Sequence, residues 1–133
     1  MEDKRVAYVD FYGKQYPLCL TVSAKEKIAE CYGSVNNMLS LLRKGGEGVG
    51  KVYADFFYAL MCGGRDRLRV LAWMVGTEVD PPEVPSQERL RDFLTTGDIN
   101  YIQDELFTAL HLSTASTVEV DSNDGKNAET TRG

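Results

Sequence analysis

The sequence predicts an α+β fold, mainly α, in which an N-terminal β-hairpin packs on about five helices and a disordered C-terminal tail follows. Three observations carry that expectation. Apolar and polar residues alternate over 5–21, the period of paired strands. Between 24 and 112 apolar residues recur every three or four positions, the period of helices. From 113 onward the chain is polar and small, with only Ala115, Val118, Val120 and Ala128 apolar. A single globular domain over 1–112 and a flexible polar tail over 113–133 result.

The first strand is read over 5–11, with Ala7, Val9 and Phe11 on one side and Val6, Tyr8 and Asp10 on the other. Tyr12-Gly13-Lys14 supplies the turn, and residues 15–21 alternate again. Pro17 marks this second strand as an edge or bulged one, because proline cannot donate to a ladder. A two-stranded hairpin is marginal alone, so one face is expected to pack on the helices.

Ser23 and Glu26 stand at capping-box spacing and predict a helix over 24–32, ended by Gly33. Ser34 caps a second helix through about Lys44, with Val35, Met38, Leu39 and Leu42 on one face. The glycine-rich run 45–50 breaks the chain. Residues 51–62 form the strongly apolar central helix, which Gly63-Gly64 is expected to terminate. A further helix over 65–75 places Leu68, Leu71, Ala72 and Val75 inward, with Trp73 beside them, and ends at Gly76. After a proline-rich acidic connection over 77–85, Ser86 caps a helix over 87–94 that Gly97 stops. Asp98 caps the last helix, through about Leu112, with Ile99, Ile102, Leu106, Ala109 and Leu110 in its apolar stripe.

The 133 residues fit one domain, and 43% hydrophobic with 26% charged residues is an ordinary globular balance. A formal net charge of −5 repels phosphate backbones and anionic lipid, which argues against nucleic acid and membrane surfaces as partners. The densest basic cluster, Arg65, Arg67 and Arg69, is interrupted by Asp66 and reads as a solvated helix face. Cys19, Cys31 and Cys62 have no paired spacing, and with the one histidine, His111, they cannot supply a zinc site. They read as reduced thiols of a reducing compartment. No apolar run approaches a membrane span or a signal peptide, so the chain is expected in the cytoplasm.

Chemistry-bearing motifs are sparse. Residues 45–52 fit the phosphate-cradling GxxxxGK pattern until its last position, where Val52 replaces the hydroxyl that would ligate Mg²⁺. The preceding residues continue a helical pattern rather than a buried strand, so the segment reads as a helix–helix loop. His111 reads as a surface or helix-end histidine, and Asp80/Glu83 and Asp104/Glu105 as solvated charges. No catalytic, cofactor-binding or metal-ligating residue is expected, and no enzyme activity.

One feature argues for a protein partner. Residues 51–62 put aromatics on nearly every side of one helix, more than a small domain easily covers. The candidate partner-binding residues are therefore Tyr53, Phe57, Tyr58 and Met61, with Trp73 in support. Coverage of the same helix by the hairpin and the last helix would make them core instead.

The order of three segments resembles the tail assembly chaperones of long-tailed bacteriophages. Gly13-Lys14-Gln15-Tyr16-Pro17-Leu18 looks like the GKEYPL segment that opens the second strand in that family. Ile28-Ala29-Glu30-Cys31-Tyr32-Gly33 resembles its capped helix ending in glycine, and Leu60-Met61-Cys62-Gly63-Gly64 its core helix ending in a glycine break. The likeness covers about residues 5–112. It implies a non-enzymatic helper in the host cytoplasm that binds the tape-measure protein and keeps it soluble while the tail tube assembles. It also implies contact with tail tube protein, homo-oligomers, absence from the finished virion, and a longer product made by −1 frameshifting. Gly125-Lys126-Asn127 could be encoded by a slippery heptamer. The rival expectation is a structural component retained in a phage tail or related contractile particle.

Overall fold

The structure, a computed structural model, describes residues 3–115. Strands β1 (Ala7–Phe11) and β2 (Lys14–Leu18) form an antiparallel hairpin in the register Ala7↔Leu18 to Phe11↔Lys14. The turn residues Tyr12 and Gly13 both have positive φ, 48° and 82°, as a tight hairpin of right-twisted strands requires. Ala7, Val9 and Phe11 are buried and Tyr8 and Asp10 exposed, as the alternation predicts. Five helices follow: α1 (Val22–Tyr32), α2 (Val35–Lys44), α3 (Val49–Val75), α4 (Gln87–Phe93) and α5 (Thr96–Thr114). The predicted mainly α fold with an N-terminal hairpin is the observed one.

The largest correction concerns the glycine pair. Gly63-Gly64 does not end a helix; 51–62 and 65–75 belong to the one 27-residue helix α3, roughly 40 Å long at 1.5 Å per residue. The glycines are there because the end of β2 crosses the helix in contact with its backbone. A Cβ on Gly64 would stand 2.0 Å from the Pro17 carbonyl oxygen, and one on Gly63 2.1 Å from that of Cys19. The Cys19 amide meanwhile donates to the Leu60 carbonyl at 3.0 Å. Two interior glycines cost the helix about 2 kcal/mol relative to alanine, and the close packing of β2 offsets that cost.

Around this crossing, β2, α1, α2, α4 and α5 all pack on α3, and α5 also closes over β1. Phe56, Phe57, Leu60 and Met61 are fully buried with Leu18, Met38, Ile102 and Leu106. Each such side chain contributes on the order of 2 kcal/mol. Phe11 meets Phe57 edge to face, ring centroids 5.4 Å apart.

The ends of the helices differ in detail from the expectation. The N-cap of α1 is Thr21, whose hydroxyl accepts from the Ala24 amide, not Ser23. Thr95, not Asp98, caps α5; Asp98 is the third helical residue and accepts from the Thr95 amide, closing a capping box. Gly97 accordingly lies in the first turn of α5 and does not stop α4. Helix α3 begins at Val49 behind a left-handed Gly48. Helix α5 continues to Thr114, so Ser113 and Thr114 are helical rather than tail. Ser113 is held there by the Leu20 amide, which donates to its hydroxyl at 2.8 Å. The rest of the expected tail, apart from Ala115, lies outside the described residues, as does the Gly125-Lys126-Asn127 segment.

Asp55 on α3 is the one buried charged residue among those described, 3% exposed. It accepts from the Tyr32 hydroxyl (2.5 Å), Gln87 Nε2 (3.1 Å) and both Nε and Nη2 of Arg91 (3.0 and 2.8 Å), and Lys51 Nζ lies 3.5 Å away. Burial alone would raise its pKa; the hydrogen bonds from Tyr32, Arg91 and Gln87 outweigh burial and hold the carboxyl below its ordinary value. The same contact, with burial first, pushes the Tyr32 hydroxyl well above the usual tyrosine range. This hub ties α1 and α4 to α3.

Candidate functional site

The described residues leave an open apolar groove between α1, α2 and the end of α5, about 700 Å³ in volume. Its floor is Leu20, Ala29, Val35, Leu39 and Leu110, and Lys25, Glu26, Asn36 and Thr114 stand among its polar residues. The local sequence explains the trough. Gly33, at φ 87°, turns the chain sharply between α1 and α2, and the Asn37 side-chain amide donates to the Tyr32 carbonyl to hold the turn. Met38 and Leu42 take the inward face of α2, so Val35 and Leu39 are left at the groove side, only partly buried. Ala29, one methyl deep, leaves the space that a larger residue of α1 would fill. Val22 also lines this groove and is 75% exposed. Val22 and Val35 are each the first residue of their helices.

A second apolar surface lies across the N-terminus of α1. There Thr21 and Ser23 face Val70, Leu71 and Met74 of α3 across a shallow cleft of about 420 Å³. The three arginines of this part of α3 do not form an anion-binding stripe. Arg65 pairs with Asp66 (2.9 Å), Arg67 with Asp3 (2.5 Å), and Arg69 lies 3.9 Å from Asp66.

The structure separates the five predicted partner-binding residues. Phe57 and Met61 are core: Phe57 has no exposure, Met61 almost none, and both close the inner side of a small aromatic pocket with Phe11, Tyr12 and Phe93. Tyr53 and Tyr58 are partly buried against the core. The apolar density of 51–62 is thus covered within the chain, and it does not supply the contact surface expected of it. Trp73 is 81% exposed, although Ala72 beside it is buried. The sequence did not single out Val22, Val35, Leu39 and Leu110, which line the groove, or Val70 and Met74 next to Trp73 as exposed surface. The available signal was that 65–75 is apolar on two faces, one more than a surface helix needs.

The other candidates fall as follows. The glycine run 45–48 connects two helices, and Lys51 lies inside α3, bridging to Asp55 and standing 5.6 Å over the Tyr32 ring. His111 is exposed on the last turns of α5. Cys19 and Cys62 are buried and Cys31 exposed; burial pushes the Cys19 thiol up. Among the described residues no helix is long and apolar enough to cross a membrane. Neither a family model, nor a curated protein, nor a solved structure matches the chain.

Proposed function

We propose that this protein is a non-enzymatic tail assembly chaperone of a long-tailed bacteriophage. It binds apolar helical segments of the tape-measure protein in the α1–α2–α5 groove and keeps that protein soluble in the host cytoplasm until the tail tube encloses it. The observation that carries the reading is the groove that the described residues leave between α1, α2 and the end of α5, with Leu20, Val22, Ala29, Val35, Leu39 and Leu110 in its lining. Such a trough suits the apolar face of an amphipathic helix, read as a row of side chains at helical spacing.

Two of the three segments on which the family resemblance rests are one contact in space, although the helix does not break at Gly63-Gly64 as the resemblance implies. Pro17 and Leu18 of the hairpin lie against Gly64, and Cys19 against Gly63.

Co-expression with the tape-measure protein encoded beside the gene tests the reading. The tape-measure protein should be insoluble alone, and soluble and co-purified when this chain is present. Unchanged solubility with nothing co-purified would count against a stand-alone chaperone.

A further inference from the structure

A pocket of about 290 Å³ lies between the hairpin tip, the middle of α3 and α4. Its inner wall is Phe57 and Met61, both core, and its outer rings are Tyr12 and Phe93, 69% and 51% exposed. Phe11 stands between them, edge to face with Phe57 at 5.4 Å and with Phe93 at 6.2 Å between ring centroids. A flat ring entering here meets aromatic side chains from the rim to the core, the surroundings into which aromatic rings pack best. The volume stands at the lower end of ligand pockets, room for one ring and a short side chain.

The polar groups of the lining select the rest of the ligand. Its charged residue is Arg89 of α4, which is exposed. Among the described residues no carboxylate pairs with the Arg89 guanidinium. The backbone beneath it is fixed: the Ser86 hydroxyl accepts from the Arg89 amide at 3.2 Å, and Arg91 ties α4 to Asp55. Tyr16 of β2 is the second group. It is only 8% exposed, yet its hydroxyl has no hydrogen-bond partner among the described residues. A buried phenol ordinarily finds one, because an unpaired hydroxyl forfeits the bonds that water would make. Burial pushes its pKa above the ordinary tyrosine value, so at neutral pH it keeps its proton and can donate. The Tyr12 hydroxyl is already committed to Asp98. The lining thus offers one positive charge and one free hydroxyl, and no acidic side chain that would repel an anion.

We propose that this pocket binds a small single-ring aromatic carboxylic acid, its ring against Phe11, Phe57 and Phe93 and its carboxylate on Arg89 and the Tyr16 hydroxyl. Both donors favour the ionised acid over a neutral ligand, because charge-assisted hydrogen bonds are the strong ones. An amine on the same ring sets like charge against Arg89. An acid without the ring gives up the aromatic contacts and leaves the inner wall uncovered. The pocket shares no lining residue with the α1–α2–α5 groove, so this inference does not depend on the proposed function.

Titration calorimetry of the whole chain with phenylacetate, read beside amide NMR, tests the proposal. Acetate and phenethylamine are the controls, the first without the ring and the second with the charge reversed. The expected result is one-to-one binding of phenylacetate that saturates on the order of 1 mM or below, with amide shifts gathered at the hairpin tip and α4. Neither control should bind in that range. Arg89→Gln, at an exposed position, should weaken binding about tenfold, and Tyr16→Phe, which removes only the hydroxyl, several-fold. Circular dichroism should show both variants folded. Absence of saturable phenylacetate binding overturns the proposal. So does phenethylamine binding as tight as that of phenylacetate, or an affinity that Arg89→Gln or Tyr16→Phe leaves unchanged. Shifts gathered in the α1–α2–α5 groove instead place the acid there and reject the pocket.

Discussion

Alanine at Gly64 should destabilise this protein even though alanine is the better helix former, and the sign of that effect tests why α3 is continuous. On propensity alone, glycine to alanine inside a helix gains about 1 kcal/mol. The added Cβ, however, would stand 2.0 Å from the Pro17 carbonyl oxygen, 2.3 Å from its carbon and 2.7 Å from the Leu18 nitrogen. All three are backbone atoms, so no side chain can swing aside. To recover an ordinary contact of 3.4 Å or more, β2 must retreat by well over an ångström. That movement breaks the 3.0 Å hydrogen bond from the Cys19 amide to the Leu60 carbonyl and unseats Leu18 and Cys19 from the core. Overpacking a fitted core costs typically about 1–3 kcal/mol, and the lost hydrogen bond adds about 1, so a net loss of roughly 2 kcal/mol remains after the propensity gain. For a chain of this size that is a fall in Tm of about 7 °C, readable by circular dichroism. Gly50→Ala is the matched control. Its Cβ would meet only the tip of Ile99 at 3.7 Å, so stability should hold or rise by a few tenths of a kcal/mol. A Gly64→Ala protein as stable as wild type would refute the close crossing.

Three further outcomes follow from the interior. Asp55→Asn should cost about 3 kcal/mol at neutral pH, at the lower end for a buried ion pair because Arg91 and Lys51 keep part of their solvation. Because the folded Asp55 carboxyl titrates below its unfolded value of 3.8, its contribution is complete above about pH 5 and is lost progressively as pH falls past 3.8 and through the lower folded value. Urea titrations at falling pH should therefore show a shallower acid loss in the variant, and an identical slope would remove Asp55 from the account. Asp98, held low by the Thr95 amide, keeps its share of the slope in both proteins. Of the three thiols, only Cys31 should react quickly with a maleimide in the native protein, with Cys19 and Cys62 following on unfolding; mass spectrometry distinguishes them. Thr95→Ala should remove the hydroxyl that accepts from the Asp98 amide, while the backbone amide at that position still donates to the Asp98 carboxylate, at a cost of about 1 kcal/mol by thermal melt.

Much of the fold could be read before the structure, because local chemistry dictates it. The hairpin alternation, the positive-φ Gly33 and Gly76, and the Ser34 and Ser86 caps involve residues close in sequence. Where the reading failed, a distant segment decided. Gly63-Gly64 has the same local appearance as a helix stop and as a site of close backbone approach, and only the passage of Pro17 and Cys19 distinguishes them. Thr21 displaces Ser23 as the cap because Ser113 ties the Leu20 amide, so the chain turns directly from the strand into α1. At the other end, the Thr95 and Asp98 spacing is itself a capping box, overlooked because Gly97 resembles a stop signal. The groove was the least legible part. Apolar density pointed to 51–62, but exposure depends on what packs over a face, and β2, α4 and α5 cover that one. The groove instead uses aliphatic residues that a helical pattern assigns inward.

The groove claim is tested most directly by the double variant Val22→Asp, Val35→Asp. Both positions open a helix, where a carboxylate is favoured by the dipole, so the fold should tolerate the change. Co-purification with the tape-measure protein would be compared between variant and wild type, with melting temperature as the control. The account predicts a folded variant that no longer retains the tape-measure protein in solution. A folded variant that still co-purifies it as wild type does would contradict the assignment of the groove.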